Sequence, residues 1–126
     1  MSRKLTPAST NTEERAANPD LLVVHRTLVE LVGRLDASIG QAKNAAEVVA
    51  ILDEIAEVNA RVTTVGRQLF TQQTETISKL SGQIETSTTD VQDAIDKLES
   101  IKKLVQTVTA FLKVVDKVVD TAKLIA

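Results

Sequence analysis

The chain has 126 residues, of which 43% are hydrophobic and 25% are charged, and its net charge is −2. This composition is typical of a soluble folded protein of one domain. Only two residues are Phe and one is Met, and the chain contains no Trp, Tyr or Cys, so we expect a core of Val, Leu, Ile and Ala. Such side chains fill the spaces between helices well, but they seldom line the wide pockets that bind small molecules.

The sequence lacks residues that several classes of function require. Nucleic-acid-binding proteins carry basic patches and aromatic stacking platforms, and the sequence has neither. The absence of Cys excludes disulfides, thiol catalysis and cysteine-ligated zinc. His25 is the single histidine, so acid–base or metal chemistry that needs two imidazoles is excluded. A Ser-His-Asp triad would have to recruit His25 with a serine that no glycine-rich elbow marks.

The acidic and glycine residues also lack a catalytic or cofactor-binding pattern. Asp53, Glu54 and Glu57 are clustered, but no Glu-x-x-His motif accompanies them, as a di-metal site in a helical bundle would need. We interpret these carboxylates as charges on a solvated face. The four glycines are scattered, so the chain has neither a Walker loop nor a dinucleotide-binding motif. We therefore predict that the protein is not an enzyme, with no catalytic, metal-binding or cofactor-binding residues and no cofactor.

The two ends of the chain bear on its location. Residues 1–18 are polar and have no apolar period, which predicts a mobile tail. They also lack the apolar run of a classical secretion signal, so a cytoplasmic location is the default expectation. Export by a specialised bacterial secretion system stays open as an alternative, because a Ser/Thr-rich leader suits it. Residues 104–126 are the most apolar segment, but five charged residues interrupt it, which argues against a membrane span.

Residues 19–126 are predicted to form a single helical bundle domain. The first helix, residues 19–39, starts where Asn18 can act as N-cap and Pro19 fits the first helical turn. Gly40 begins a polar connection, and the spacing of Asn44 and Glu47 predicts a capping box at the start of the second helix. The apolar residues of the first helix recur at spacings of three and four: Leu21, Val24, Leu28, Leu31 and Leu35.

A heptad pattern of apolar residues extends over almost all of the remaining chain. It shows a stutter between Leu69 and Ile77 and is weakest at Ser87. This serine lies in a run of Thr and Ser residues that favours turns, and Thr89 begins a second capping-box sequence. We therefore predict a turn near residues 86–89.

The predicted fold class is all-α. A long antiparallel helical hairpin of residues 45–85 and 90–126 is expected to have helices of nearly equal length, about 55–60 Å, with the shorter N-terminal helix packed on one end. The apolar face is wide in residues 104–126 and narrow in residues 71–100. This difference predicts a three-helix bundle head and a thinner two-helix coiled-coil arm.

This architecture favours a non-enzymatic helical module for protein–protein interaction that associates with itself through coiled-coil seams. A two-helix arm buries little apolar surface, so pairing of two arms would complete its core. The expected partner is another protein or a second copy of the chain, and not nucleic acid. Ala56, Asn59 and Gly66 form a further flank of small residues, where another helix can approach closely. The residues expected to form the seam are Ile77, Leu80, Ile84, Val91, Ile95, Leu98, Val105, Phe111, Leu112 and Val118.

An alternative hypothesis places the protein at a membrane or lipid surface. The last helix is strongly amphipathic, as in a component of a helical pore-forming system or a coat on a hydrophobic inclusion. Membrane-surface helices prefer a cationic polar face, whereas Asp116 and Asp120 here offset the neighbouring lysines. Trp and Tyr, the usual residues of membrane interfaces, are absent. The membrane is therefore the less favoured partner.

Overall fold

The computed structural model describes residues 16–125, in which four α-helices are joined by short connections. The predicted all-α helical bundle is confirmed, and no strand is present in these residues. Residues 1–15 of the predicted tail lie outside the described residues. The helices are α1 (Pro19–Ser38, continued by a 3₁₀ turn at Ile39–Gln41), α2 (Ala45–Arg67), α3 (Glu75–Lys97) and α4 (Ile101–Ile125).

Each helix of the bundle packs mainly against two others. Helix α1 packs on α2 and α3, and α4 packs on the same two helices from the other side. Helices α2 and α3 therefore lie at opposite corners although they are consecutive in sequence, and the connection of residues 68–74 crosses one end of the bundle. Val, Leu and Ile side chains from all four helices form the buried core, together with Phe111.

The predicted starts of the first two helices are confirmed. Asn18 Oδ1 accepts hydrogen bonds from two backbone N–H groups in the first turn of α1, at 3.0 and 3.1 Å. Asn44 caps α2 in the same way, because its Oδ1 accepts a hydrogen bond of 2.9 Å from the N–H of Glu47. The Glu47 carboxylate accepts a 2.8 Å bond from the N–H of Lys43. Both side chains of the capping pair thus satisfy backbone donors that the helix itself leaves unpaired.

The predicted turn near residues 86–89 is wrong, because α3 runs through this segment without interruption. Thr88 and Thr89 each donate a hydroxyl hydrogen bond to the backbone carbonyl four residues earlier, at 2.7 and 3.4 Å. These hydroxyls are therefore satisfied inside the helix and do not end it. Ser87 is half-buried, so the core-facing stripe of α3 continues past it. Packing of this stripe overrides the local preference for a turn.

The helix predicted for residues 45–85 is interrupted by the connection of residues 68–74. Thr74 caps the start of α3, since its Oγ1 accepts a 3.2 Å hydrogen bond from the N–H of Ile77. The heptad stutter between Leu69 and Ile77 coincides with this break. A stutter shifts the apolar stripe around the helix, and here the shift marks the point where the chain leaves one corner of the bundle for the opposite one.

The helix predicted for residues 90–126 begins instead at Ile101. Leu98 ends α3 with a φ of 40°, in the left-handed region that residues other than glycine seldom adopt. Ser100 Oγ then accepts a 3.1 Å hydrogen bond from the N–H of Lys103, which is the N-cap pattern of a new helix. Leu98 and Ile101 both pack against the core, so the apolar pattern continues across the turn and does not reveal it.

The predicted three-helix head and two-helix arm are accordingly replaced by one bundle with four helices. The N-terminal helix reaches beyond the region assigned to the head, because it packs along α3. Near the end of α3, Asp96 forms a 3.6 Å ion pair with Arg34 of α1. The thin apolar face of residues 71–100 is therefore covered by α1 on one side and by α4 on the other.

Candidate interaction surface

The ten residues predicted to form an interaction seam lie in the interior of this bundle or at its margin. A second copy would reach the buried ones only if the bundle opened. A surface that binds a partner of the closed bundle must therefore lie elsewhere. The buried residues are Ile77, Ile84, Val91, Ile95, Phe111, Leu112 and Val118, and the half-buried ones are Leu80, Leu98 and Val105.

The apolar face of α4, on which the membrane hypothesis depended, is also covered. It packs against α2 and α3, and eight of its residues are buried. None of the helices in residues 16–125 is both long enough and apolar enough to cross a membrane.

One side of α2, in contrast to these covered surfaces, carries a stripe of uncharged residues that is exposed. Its residues recur at alternating spacings of four and three, the heptad pattern that aligns side chains on one face of a helix. Val49 and Leu52 expose 55% and 47% of their surface. We call this surface the α2 face and define it by six exposed residues: Ala45, Val49, Leu52, Ala56, Asn59 and Thr63.

Helix α2 therefore carries two heptad stripes on different sides. The inner stripe runs through Ile51, Val58 and Val65, which are buried in the core. The α2 face is offset by one residue from this inner stripe, which is the more regular apolar pattern in the sequence. Helices with apolar residues on two sides usually have packing neighbours on both, but within residues 16–125 no helix covers the outer side of α2.

Of the small residues that the sequence singled out on this helix, Gly66 is used inside the bundle. A Cβ atom at Gly66 would lie 3.4 Å from the Nε2 atom of His25 on α1. Glycine at this position therefore lets the half-buried imidazole of His25 approach the α2 backbone. Ala56 and Asn59, in contrast, are exposed and remain accessible to another molecule.

Charged residues border the α2 face on the side of α4. Arg61 donates two hydrogen bonds of 3.0 Å to the carboxylate of Asp116 on α4. A third N–H group of Arg61 donates a 2.6 Å bond to Glu57. Hydrogen bonding to Asp116 is the main cause that raises the pKa of Arg61 above its ordinary value, so the guanidinium stays charged. This network ties α2 to α4 and holds the charges of Arg61 and Glu57 to one side of the α2 face.

The outward faces of α3 and α4 are highly charged, unlike the α2 face. A groove of about 480 Å³ lies between these two helices and is open to solvent. Carboxylates and ammonium groups both line it, without a concentration of either sign. The exposed charged residues are Glu75, Lys79, Glu85, Asp90, Asp93, Asp96 and Lys97 on α3, and Lys102, Lys103, Lys113, Lys117, Asp120 and Lys123 on α4.

The interpretation of Asp53, Glu54 and Glu57 as charges on a solvated face is wrong for Glu54. Asp53 and Glu57 are exposed, but Glu54 is buried on the inner side of α2. Burial is the main cause that raises the pKa of Glu54, and repulsion by Glu57 and Asp53 raises it further, whereas Arg61 lowers it. Within residues 16–125, no three His, Cys, Asp or Glu residues are grouped so that they could hold a metal ion.

We expect Glu54→Gln to be more stable than the wild type at pH 7, with a difference that shrinks as the pH falls to 4. The raised pKa means that the folded state binds a proton to Glu54 more readily than the unfolded state does. Lowering the pH towards the ordinary glutamate pKa of about 4.3 therefore stabilises the wild type at this position, while glutamine does not titrate. Urea denaturation midpoints of both proteins at pH 7 and pH 4 measure this difference.

The control for this prediction is Glu30→Gln, which removes one negative charge from an exposed position on α1. Comparison with it separates the local effect of Glu54 from a general change in net charge. A Glu54→Gln advantage that grew towards pH 4 would contradict the assignment of a burial-raised pKa.

No protein family model matches the chain, and no similar protein was found among the curated proteins or among the solved structures.

Proposed function

We propose that the protein is a non-enzymatic helical module that binds another protein through the α2 face. The exposed, uncharged heptad stripe on α2 carries this proposal. The core of the bundle is already filled by its own four helices, so Val49 and Leu52 are not needed to complete it. Burying a Val or Leu side chain stabilises by about 1.5–3 kcal/mol relative to leaving it exposed, and a docked partner would supply that burial.

The shape of the α2 face favours a helical partner. Ala45 and Ala56 have short side chains that let a second helix approach closely, while Val49 and Leu52 provide apolar contacts between them. Asn59 continues the heptad spacing with a polar side chain. A single Asn at such a position specifies the register of a helix pair and lowers its stability. The α2 face therefore supports specific pairing with a helix of similar pattern, as in helix-in-groove recognition.

Substitution of Leu52 by glutamate tests this proposal. Leu52 is exposed, so Leu52→Glu leaves the core intact but places a charge in the centre of the α2 face. Tagged wild type and Leu52→Glu are used to capture proteins from extracts of the source cells, and the captured proteins are compared by quantitative mass spectrometry. We expect at least one protein to be retained by the wild type and lost by the variant, including a differently tagged copy of the chain itself if the chain binds its own kind.

Val23→Glu is the matched control. Val23 is an exposed apolar residue of α1, and it precedes by two residues His25, which faces α2. Residues two apart lie on nearly opposite sides of a helix, so Val23 faces away from α2. This variant is expected to retain the captured protein. Equal capture by wild type, Leu52→Glu and Val23→Glu would show that the α2 face is not a binding surface.

A further inference from the structure

We propose that the partner of the α2 face is a second copy of this chain, and that the two α2 helices pack antiparallel about a two-fold axis near their midpoint. This inference rests on the proposed function, because it names the occupant of the same surface. In a two-fold interface the same surface is used by both copies, so a contact between residue i of one copy and residue j of the other is repeated as a contact between j and i. When two helices pack antiparallel, a residue away from the axis therefore meets a different residue of the second copy. Under that symmetry, the α2 face is complementary to itself in the sizes of its residues.

Residue sizes are complementary in the antiparallel arrangement. With the axis between Ala56 and Asn59, these two residues face each other across the pair. Leu52 then faces Thr63 of the second copy. A larger side chain meets a smaller one in both of these layers, as close packing of two helices requires.

A parallel arrangement lacks this complementarity. It places each residue opposite its own copy, so that two Leu52 side chains meet in one layer and two Ala56 side chains in the next. The first layer would be wide and the second would leave a gap. Because neighbouring layers hold the helix axes at one spacing, such an alternation packs poorly.

Charges favour the same orientation. In the antiparallel pair, the exposed Asp53 lies about nine residues, or about 13 Å, along the axis from its copy, beyond the screening length of physiological salt. A parallel pair would place the two carboxylates at the same level. Glu57 is close to the axis, but it is already paired with Arg61 at 2.6 Å and lies to the side of the α2 face.

The extent of the α2 face sets the expected strength of the pair. Six exposed residues on each copy form a smaller contact than the standard interface of about 800 Å² per partner. Interfaces of this size are weak and reversible, and we expect a dissociation constant of about 10–100 μM. The wild type should therefore change from monomer to dimer within the concentration range that sedimentation can cover.

Sedimentation equilibrium of purified wild type, Leu52→Glu and Val23→Glu tests the identity of the partner. From about 1 to 500 μM, we expect the average mass of wild type and Val23→Glu to rise from 13.6 kDa towards twice that value. Leu52→Glu should associate at least about tenfold more weakly, a loss of about 1.4 kcal/mol. Circular dichroism of each variant verifies that it is folded.

The outcomes separate this inference from the proposed function. A wild type that stays at 13.6 kDa throughout the range overturns self-association, while the capture experiment still decides whether the α2 face binds another protein. A wild-type dimer that Leu52→Glu leaves unchanged assigns the contact to another surface and also overturns the inference.

A single spin label tests the orientation, since the chain contains no cysteine. Ala46→Cys places the label at the exposed start of α2. In the antiparallel pair the two labels are separated by about 23 residues of helix, or about 35 Å. A parallel pair would bring them within about 15 Å, given a helix spacing of 8–10 Å. A distance near 35 Å in the dimer supports the proposed pairing, and the shorter distance overturns it.

Discussion

Phe111→Ala is expected to lower the free energy of unfolding by about 3–5 kcal/mol. Phe111 is fully buried and heads the largest buried side chains in residues 16–125. Its ring lies in a core of aliphatic side chains, so alanine leaves a cavity that these neighbours fill only in part. Domains are typically stable by only about 5–15 kcal/mol. Urea denaturation followed by circular dichroism should therefore show a large decrease in the midpoint, or loss of the fold.

Phe70→Ala supplies the control, because it removes the same side chain from an exposed site. Phe70 lies in the connection between α2 and α3 and exposes 61% of its surface. Most of this ring is already in contact with water, so its removal should cost much less than the loss of the buried Phe111 ring. Similar losses for the two variants would contradict the placement of one phenylalanine in the core and the other at the surface.

Asn18→Ala is expected to cost about 2–3 kcal/mol, a large effect for a polar residue outside any helix. Asn18 is only 3% exposed. Its Oδ1 caps α1, and its Nδ2 donates hydrogen bonds to the Thr71 carbonyl and to Gln73 Oε1 at 3.1 and 3.2 Å. Alanine removes the cap and leaves acceptors in the connection between α2 and α3 without this donor. Urea denaturation gives the change in free energy.

Asn18→Ser distinguishes the two roles of this side chain. Serine can cap α1 but is too short to carry the second set of hydrogen bonds to residues 71–73. We expect its stability to fall between those of wild type and Asn18→Ala. If Asn18→Ser were as stable as the wild type, the bonds to the connection would contribute nothing to stability. Capping alone would then account for the loss expected in Asn18→Ala.

The sequence predicted the all-α class and the starts of α1 and α2 because those features are local. Asn18 and Asn44 each precede an apolar stripe and are followed by residues typical of a first helical turn. The turns of the second half were not predictable in this way. A heptad stripe continues across a turn when the residues on both sides face one core, as Leu98 and Ile101 do. Thr88 and Thr89 suggested a turn, whereas in the structure their hydroxyl groups bond to carbonyls of the same helix and the helix continues.

The candidate surface was only partly visible in the sequence. Ala56 and Asn59 stood out as part of a flank of small residues where another helix could approach, but the sequence did not show whether that helix belongs to the chain itself or to a partner. Which side of α2 remains outside depends on which helices cover the others, and this is decided by contacts between residues distant in sequence. The burial of Glu54 has the same origin, since its neighbours Asp53 and Glu57 give no local sign of it.

The central claim is that the chain closes its core with four of its own helices and thereby leaves the α2 face uncovered. Spin labels at Gln72 and Lys123, two exposed positions, test it most directly in protein diluted with unlabelled chains. In the bundle both lie at one end, where Gln72 and Ile125 line the same depression and Gln68 Nε2 donates a 3.1 Å hydrogen bond to the Val119 carbonyl.

The four-helix arrangement predicts a distance of about 10–25 Å between these labels, as expected for neighbouring elements at one end of a bundle. A hairpin that turned near residues 86–89 would instead place the two positions about 20 residues out of level. The labels would then be more than about 30 Å apart, and that result would contradict the four-helix core and the exposed α2 face together.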